Sequence, residues 1–423
     1  MTQRNETFAP GTSAAIEDKH EVIVVGGGMV GAALVALLGR AGMRVALIET
    51  RPAPVRLDQV AKAHPAPRVS ALTPVSQRLL THLGAWQLMQ QRRVTPYRFM
   101  QVWDGEGSGE VRFSADQAGM PVLGHIVENE LTQAALESLL PSCGGFTAYY
   151  GTRVTALEKS VHGHRLQLAD GRRLEAPLVV AADGAHSALR EMAGITVSAQ
   201  DTGQHAVVTT VRCEQAHGEV ARQVFTAGSP LAFLPLTVAG DDHYCSIVWS
   251  VSAERAEALC GMSRQALGAA LADAFAFRLG AVEVCDEAYR YPLIQRHARH
   301  YVQPGLALVG DAAHSIHPLA GQGVNLGLMD AAVLAEEVTL AWKRGAKWGD
   351  SRILTRYERR RRGDNSAMLA LMMGFKQLFG ARQPGLTLMR NLGMNGVNLM
   401  TPLKRLLMRQ ATGERGRLPH SCR

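Results

Sequence analysis

Apolar positions follow two rhythms along the chain. Short unbroken runs at Glu21–Val25, Arg44–Ile48, Ala176–Ala181 and Gly305–Val309 each stop at glycine, aspartate or a charged residue. Runs this short, without polar alternation, are the mark of parallel strands buried on both faces. Between the first two, Gly31–Gly42 is rich in Ala and Leu and predicts a helix, so the chain opens as strand–helix–strand. Helical spacing returns at Ser76–Gln91 and Glu130–Leu140. Alternation at Tyr97–Trp103 and Glu110–Phe113, with β-rich stretches at Ala206–Val211, Gln223–Phe225 and His243–Ser252, predicts a second sheet inserted into the first unit. Prolines and charges from Arg51 to Pro67 mark a loop, and no repeat is visible.

Composition and charge narrow the classes. Apolar residues make up 47% and charged residues 19%, which suits a globular core and excludes disorder or coiled coil for the bulk of the chain. The six cysteines are scattered without a CxxC pair, against a zinc ribbon or disulfide framework and in keeping with a reducing cytosol. The polar first residues lack the apolar stretch of a signal peptide, and the longest helix-like apolar run, Val30–Leu38, falls short of the ~18 residues of a membrane span. A cytoplasmic protein, soluble or lying on a membrane surface, is expected. The net charge of +8 is uneven: from Lys343 onward there are 18 Lys and Arg against 4 Asp and Glu, so the preceding body is acidic. Such a tail suits nucleic acid or anionic lipid. Met and Phe are dense in Asn365–Phe379, near Arg359–Arg362, Lys404, Arg405 and Arg409. That pattern leaves two readings open, docking on a lipid surface or packing on the body. Nucleic acid is not expected, because no aromatic residues interleave the arginines.

Gly26-Gly27-Gly28-Met29-Val30-Gly31 fits G-x-G-x-x-G after a strand and at the start of a helix. Gly26 serves the turn, Gly28 lets a pyrophosphate approach the backbone, and Gly31 lets helix pack on strand. The helix N-terminus then binds phosphate, and Glu49, closing the second strand, can accept from ribose hydroxyls. Two later segments repeat the strand-into-turn pattern: Leu178-Val-Val-Ala-Ala-Asp183-Gly184-Ala-His-Ser187-Ala-Leu-Arg190, and Gly310-Asp311-Ala-Ala-His314 followed by Pro318, Gly321-Gln322-Gly323, Asn325 and Gly327. His314 and His317 have no third ligand at metal spacing, so no metal site is expected.

Together these three segments resemble the flavoprotein monooxygenases of the para-hydroxybenzoate hydroxylase type, over about residues 21–345. The resemblance implies an α/β fold, with a Rossmann-like FAD-binding domain, an inserted β-sheet substrate domain and a helical C-terminal region. The expected boundaries are a disordered leader at 1–20, an FAD-binding domain at 21–95, 128–192 and 288–345, a substrate domain at 96–127 and 193–287, and a basic helical region at 346–423. It implies that Asp183 and Gly184 lie by the pyrophosphate and Asp311 by the ribityl chain. The run through Gly321, Gln322, Gly323 and Asn325 faces the pyrimidine edge, and Pro318 lies beside the ring. Arg68, in Arg68-Val-Ser-Ala-Leu72, and Asn129 match the family's remaining FAD positions. No second G-x-G-x-x-G unit exists, so no permanent second nucleotide domain is expected, and the resemblance implies NAD(P)H that visits transiently. The resemblance further implies that reduced flavin and O2 give a C4a-hydroperoxide that attacks an aromatic carbon. Gly124–Asn129, Val220–Phe225, Leu231–Leu236, Cys245–Ser250 and His317–Gly327 resemble the ubiquinone-biosynthesis hydroxylases, most of all those acting at C5 of a 2-polyprenylphenol. Tyr301–Leu308 and Met389–Gly393 are instead similar to the sister enzymes acting on the later methoxy-methyl-benzoquinol. The implied partners are a polyprenylated phenol, O2, a membrane surface and a ubiquinone-biosynthesis complex. Phe233, Pro235 and Trp249 are candidate pocket residues, and no catalytic base is singled out. Two alternatives share the early motifs: an FAD-dependent isoprenoid reductase and a flavin-bearing assembly component.

Overall fold

The computed structural model describes residues 17–61, 64–226, 229–315, 323–380, 408–409 and 412–423. Its first layer is a six-stranded sheet in the order Val302–Gln303, Leu306–Leu308, Leu178–Ala181, Val22–Val25, Val45–Glu49, Phe146–Tyr150. The last five run parallel, with Val22 paired to Val45 and to Leu178. Val22–Val25 and Val45–Glu49 are buried throughout, as their uninterrupted apolar runs require. Helix Met29–Arg40 packs against helices Asn129–Leu139 and Gly323–Lys343.

Local signals account for most element ends. Thr73 accepts a hydrogen bond from Ser76 N (3.2 Å) and Pro74 occupies the first turn, starting helix Pro74–Leu83. Gly84, at φ +83°, ends that helix and opens Ala85–Gln90, so the single helix expected over Ser76–Gln91 is two. Pro177 likewise divides the run expected over Ala176–Ala181.

The second layer is a large, mostly antiparallel sheet. Its main path is His314–Ser315, Tyr289–Ala298, Val197–Cys213, Asp241–Ser252, Ser229–Val238, Val220–Thr226, Phe99–Asp104, Glu110–Ser114. Helices Ala253–Cys260 and Arg264–Ala274 cover one face, where Phe233 stacks on Phe275 at 3.8 Å.

Two expected boundaries move. Glu17–Lys19 is a strand pairing with Arg173–Glu175, so the end of the expected leader belongs to a four-stranded sheet. Tyr289–Ala298, expected in the dinucleotide domain, pairs with Val197–Val208 and belongs to the large sheet. The remainder of the leader and residues 381–407, with Lys404 and Arg405, lie outside the described residues. No helix among the described residues is long and apolar enough to cross a membrane.

Candidate functional site

Parallel strands put their carboxyl ends along one edge, where open α/β sheets bind ligands. Four neighbouring strands end there in sequence. Leu306–Leu308 leads to Gly310 and Asp311, Leu178–Ala181 to Asp183 and Gly184, Val22–Val25 to Gly26–Gly28, and Val45–Glu49 ends on Glu49 itself. Strand spacing of about 4.8 Å therefore assembles motifs that lie far apart in the chain.

The three glycines of the first turn do different work. Gly26 has φ +103°, and a Cβ there would lie 2.4 Å from Ala182 O; a Cβ on Gly31 would lie 1.9 Å from Gly26 O. Both positions are closed to side chains by the fold. At Gly28 a Cβ would meet nothing within 4 Å, so that glycine leaves room for something outside the protein. Glu49 Oε2 accepts from Gly27 N at 2.6 Å, and Oε1 from Arg51 N at 2.9 Å. Burial alone would raise the Glu49 carboxyl, but these backbone donors and the Arg51 charge hold it below its ordinary value. Arg51, which sequence reasoning passed over, also donates to Gly27 O at 3.2 Å and pairs with buried Glu137.

At the second turn, Asp183 Oδ2 accepts from Leu189 N (3.2 Å), while its buried Oδ1 has no hydrogen-bond partner. Burial pushes this carboxyl above its ordinary value, against the Ser187 and Leu189 hydrogen bonds. Arg190, the last residue of that motif, donates to Ala312 O at 2.9 Å and to Ala185 O at 3.1 Å, tying the second turn to the third.

The third turn rests on a buried charge cluster. Asp330, on helix Gly323–Lys343, receives Gly310 N (3.0 Å), lies 2.5 Å from His314 Nε2, and receives Arg361 Nε (2.7 Å) from helix Ser351–Gly380. Asn365 extends the cluster to Tyr301, whose hydroxyl lies 2.8 Å from His297 Nε2. Burial would raise the Asp330 carboxyl, but the charges of His314 and Arg361 outweigh it and hold it at about 2. The signal for this cluster was a lone acid in the apolar stretch Val324–Leu334; Arg361 was hidden in a run of arginines.

A cavity of about 460 Å³ lies over this edge, and Gly28, Arg68, Asn129, Gly184, Asp311 and Gly323 all line it. Asn129 accepts from Ser70 Oγ at 2.6 Å, and the Arg68 guanidinium sits 5.3 Å from the Tyr291 ring centre. Asp311 is open to the cavity at its outer edge; the enclosing protein pushes its carboxyl upward, against the charges of His314, Arg68 and Arg296. Asn325 is placed differently. Its side chain accepts from Thr73 N (3.0 Å) and Ser76 Oγ (2.7 Å) and donates to Ala71 O (2.8 Å), so it braces the helix start rather than reaching into the cavity. Pro318, Gly321 and Gln322 lie outside the described residues.

The opposite wall comes from the large sheet, through Ala206, Val208, Leu234, Val248 and Leu293. Here the expectation from sequence is one residue out of step. Phe233 and Trp249 belong to the core beneath the covering helices, and Pro235 alternates onto their face. In a strand that single step reverses the face.

The unpaired Asp183 oxygen, the open Gly28, the cavity lined by Asp311, and Glu49 at the end of its strand fit FAD laid along the strand ends. The fold is that of the flavin-dependent monooxygenases. PqsL of Pseudomonas aeruginosa superposes with a TM-score of 0.74 at 23% identity, over 90% of this chain and 100% of that one. A family model described as an FAD binding domain matches residues 19–371. The 3-demethoxyubiquinol 3-hydroxylase of Escherichia coli (strain K12) is 41% identical over 394 residues, 93% of this chain and 98% of its own. The ubiquinone hydroxylase UbiL of Rhodospirillum rubrum is 36% identical over 93% of this chain and 89% of its own. The chain belongs to the FAD-binding-domain family of para-hydroxybenzoate-hydroxylase-like monooxygenases, among the ubiquinone-biosynthesis hydroxylases.

Proposed function

We propose that this chain hydroxylates the aromatic ring of a polyprenylated phenol or quinol in ubiquinone synthesis, with NAD(P)H as electron donor and O2 as oxygen source. The observation that carries this reading is a single cavity with a polar, glycine-lined wall facing an apolar one. Bound FAD would supply the activation of O2 by two electrons. The protein's share is positional. Gly28, Gly184 and Gly323 allow backbone amides to meet phosphate and ring, Glu49 takes ribose hydroxyls, and Asp311 takes the ribityl chain. Val208, Leu234, Val248 and Leu293 hold a greasy ring and keep water from it.

C5 of a 2-polyprenylphenol is the position that sequence favours, while the 41% identity to the Escherichia coli 3-demethoxyubiquinol 3-hydroxylase supports a later ring as second reading. Complementation of strains lacking each ubiquinone ring hydroxylase in turn, with mass analysis of the quinone precursors, separates them. Rescue of the C5-deficient strain alone supports the first reading, and rescue of the later step alone supports the second. Absence of oxygen-18 from the product under labelled O2 would sink hydroxylation and leave the reductase alternative. Surface docking is supported by Arg352, Arg356, Arg359 and Arg362, exposed on successive turns of helix Ser351–Gly380.

A further inference from the structure

Within the cavity, one strand pair breaks the apolar pattern of the sheet wall. Arg296 lies directly opposite Ser315 across the antiparallel pair, and His297 opposite His314. His297 and His314 turn toward the buried cluster: His297 bonds the Tyr301 hydroxyl, and His314 bonds Asp330. Side chains alternate along strands, so Arg296 and Ser315 share the other side, and both line the cavity.

Among the described residues, neither side chain has a hydrogen-bond partner. Ser315 Oγ is buried without a hydrogen bond, and Arg296 forms no ion pair or side-chain hydrogen bond among the described residues. The acid that feels the Arg296 charge is Asp311, which is shared with Arg68 and His314. The cavity thus holds two guanidinium groups, Arg68 and Arg296, against the single carboxylate of Asp311, with a buried hydroxyl beside them. Buried donors without acceptors are costly, and a guanidinium is best completed by an oxygen carrying negative charge. Arg68 already lies against Tyr291, whereas Arg296 and Ser315, paired across the strands, line the cavity together with the apolar Val208, Leu234, Val248 and Leu293.

We propose that Arg296 and Ser315 bind the ring oxygen of the aromatic substrate, as phenol or phenolate, and so decide which ring carbon is presented for hydroxylation. This rests on the hydroxylase reading above. Anchoring the oxygen fixes the ring in its own plane, which an apolar wall alone leaves free to rotate. The positive charge also favours the phenolate, the more electron-rich and reactive form of the ring.

The test uses the FAD-loaded protein and two short-tailed probes, 2-allylphenol and allylbenzene, which differ by the hydroxyl. Binding is read from the perturbation of flavin absorbance. The wild type should prefer the phenol by about tenfold to a hundredfold. Arg296→Met should abolish that preference while leaving allylbenzene binding and FAD affinity unchanged. Ser315→Ala should weaken phenol binding by about threefold to tenfold, and Arg296→Lys should recover part of the preference. A preference surviving in Arg296→Met overturns the proposal. So does a loss of FAD affinity in that variant matching its loss of phenol binding, because the guanidinium would then serve the cofactor. A wild type that binds both probes without regard to the hydroxyl overturns the proposal as well, whereas the hydroxylase reading fails separately, if oxygen-18 from labelled O2 is missing from the product.

Discussion

Arg361→Met is the most demanding probe of the buried cluster. The substitution keeps an unbranched stem but removes the guanidinium that reaches Asp330 Oδ1 (2.7 Å), Asn365 Oδ1 (2.7 Å) and Asp364 (3.2 Å). Asp330 is fully buried and, among the described residues, would keep His314, Gly310 N and Asn365 for its charge. Removing one member of a buried pair costs about 3–5 kcal/mol, more than the pair contributes, because the surviving charge is stranded. With a urea dependence of about 3 kcal/mol per M, the midpoint of the FAD-loaded protein, followed by tryptophan fluorescence, should fall by about 1 M or more. Adding Asp330→Asn should recover part of that loss, since no charge is then stranded. Acid supplies a second readout. Asp330 is held at about 2 against an ordinary 3.8, so its contribution of about 2 kcal/mol is complete above about pH 4 and lost as pH falls toward 2. In Arg361→Met the carboxyl rises, and the acid loss should begin at higher pH. A single-variant loss under about 1 kcal/mol, or a double variant no better than the sum of the singles, would refute the assignment of Arg361 as the essential counter-charge.

Other tests address separate parts of the structure. Gly28→Trp should fold but purify without flavin colour, whereas Gly31→Ala, with its Cβ 1.9 Å from Gly26 O, should fail to fold; circular dichroism and visible absorbance separate the two, and a yellow Gly28→Trp would remove that glycine from the site. Asp311→Ala should weaken FAD binding in fluorescence titration, and an unchanged affinity would reject the ribityl role. Burial holds His125, edge-on to Trp86 at 4.9 Å, down at about 4, against 6.5 when unfolded, so wild-type stability should fall by about 3 kcal/mol between pH 6.5 and 4. His125→Phe should flatten that part of the urea-midpoint profile; an unaltered slope would place the proton uptake elsewhere. Replacing Arg352, Arg356, Arg359 and Arg362 by Gln should reduce association with anionic liposomes, more at low salt than at high, and an unchanged association would leave the helix a packing element. Deleting residues 400–423 is a poorer test, because Glu414 pairs with Arg78 and Cys422 is buried.

The parts of the site legible in the sequence are those whose requirements are local. Gly26 and Gly31 are demanded by one turn closing on itself; Glu49 ends, and Asp183 and Asp311 follow, strands short and apolar enough to be recognised as buried. What escaped depends on pairings between distant segments. Whether Phe233 or Leu234 meets the cavity turns on register, and register is set by partners such as Ile247 and Ser246. Tyr289–Ala298 carries no mark of which sheet it joins until Val197–Val208 is alongside. Asn325 has the residue type of a ligand contact, and only the folded chain shows its three polar bonds already committed to Ala71, Thr73 and Ser76.

The basic C-terminal region shows how a charge count can mislead when its members face different ways. Helix Ser351–Gly380 buries Leu354, Tyr357, Arg361, Asn365 and Met368 at helical spacing, and turns Arg352, Arg356, Arg359 and Arg362 outward. Arg360 faces the body too, pairing with Glu336 and Glu337. Packing occupies one face of this helix and leaves the opposite, basic face for the proposed surface docking, so the two accounts are not rivals. The inward face reaches the third turn, at Gly310, through Arg361 and Asp330. These two buried contacts tie the helix to the turn that precedes Asp311, the residue proposed to hold the ribityl chain. That link predicts that the Arg361→Met substitution should weaken FAD binding as well as folding, and an unaltered FAD affinity would show that the turn holds its shape without the helix.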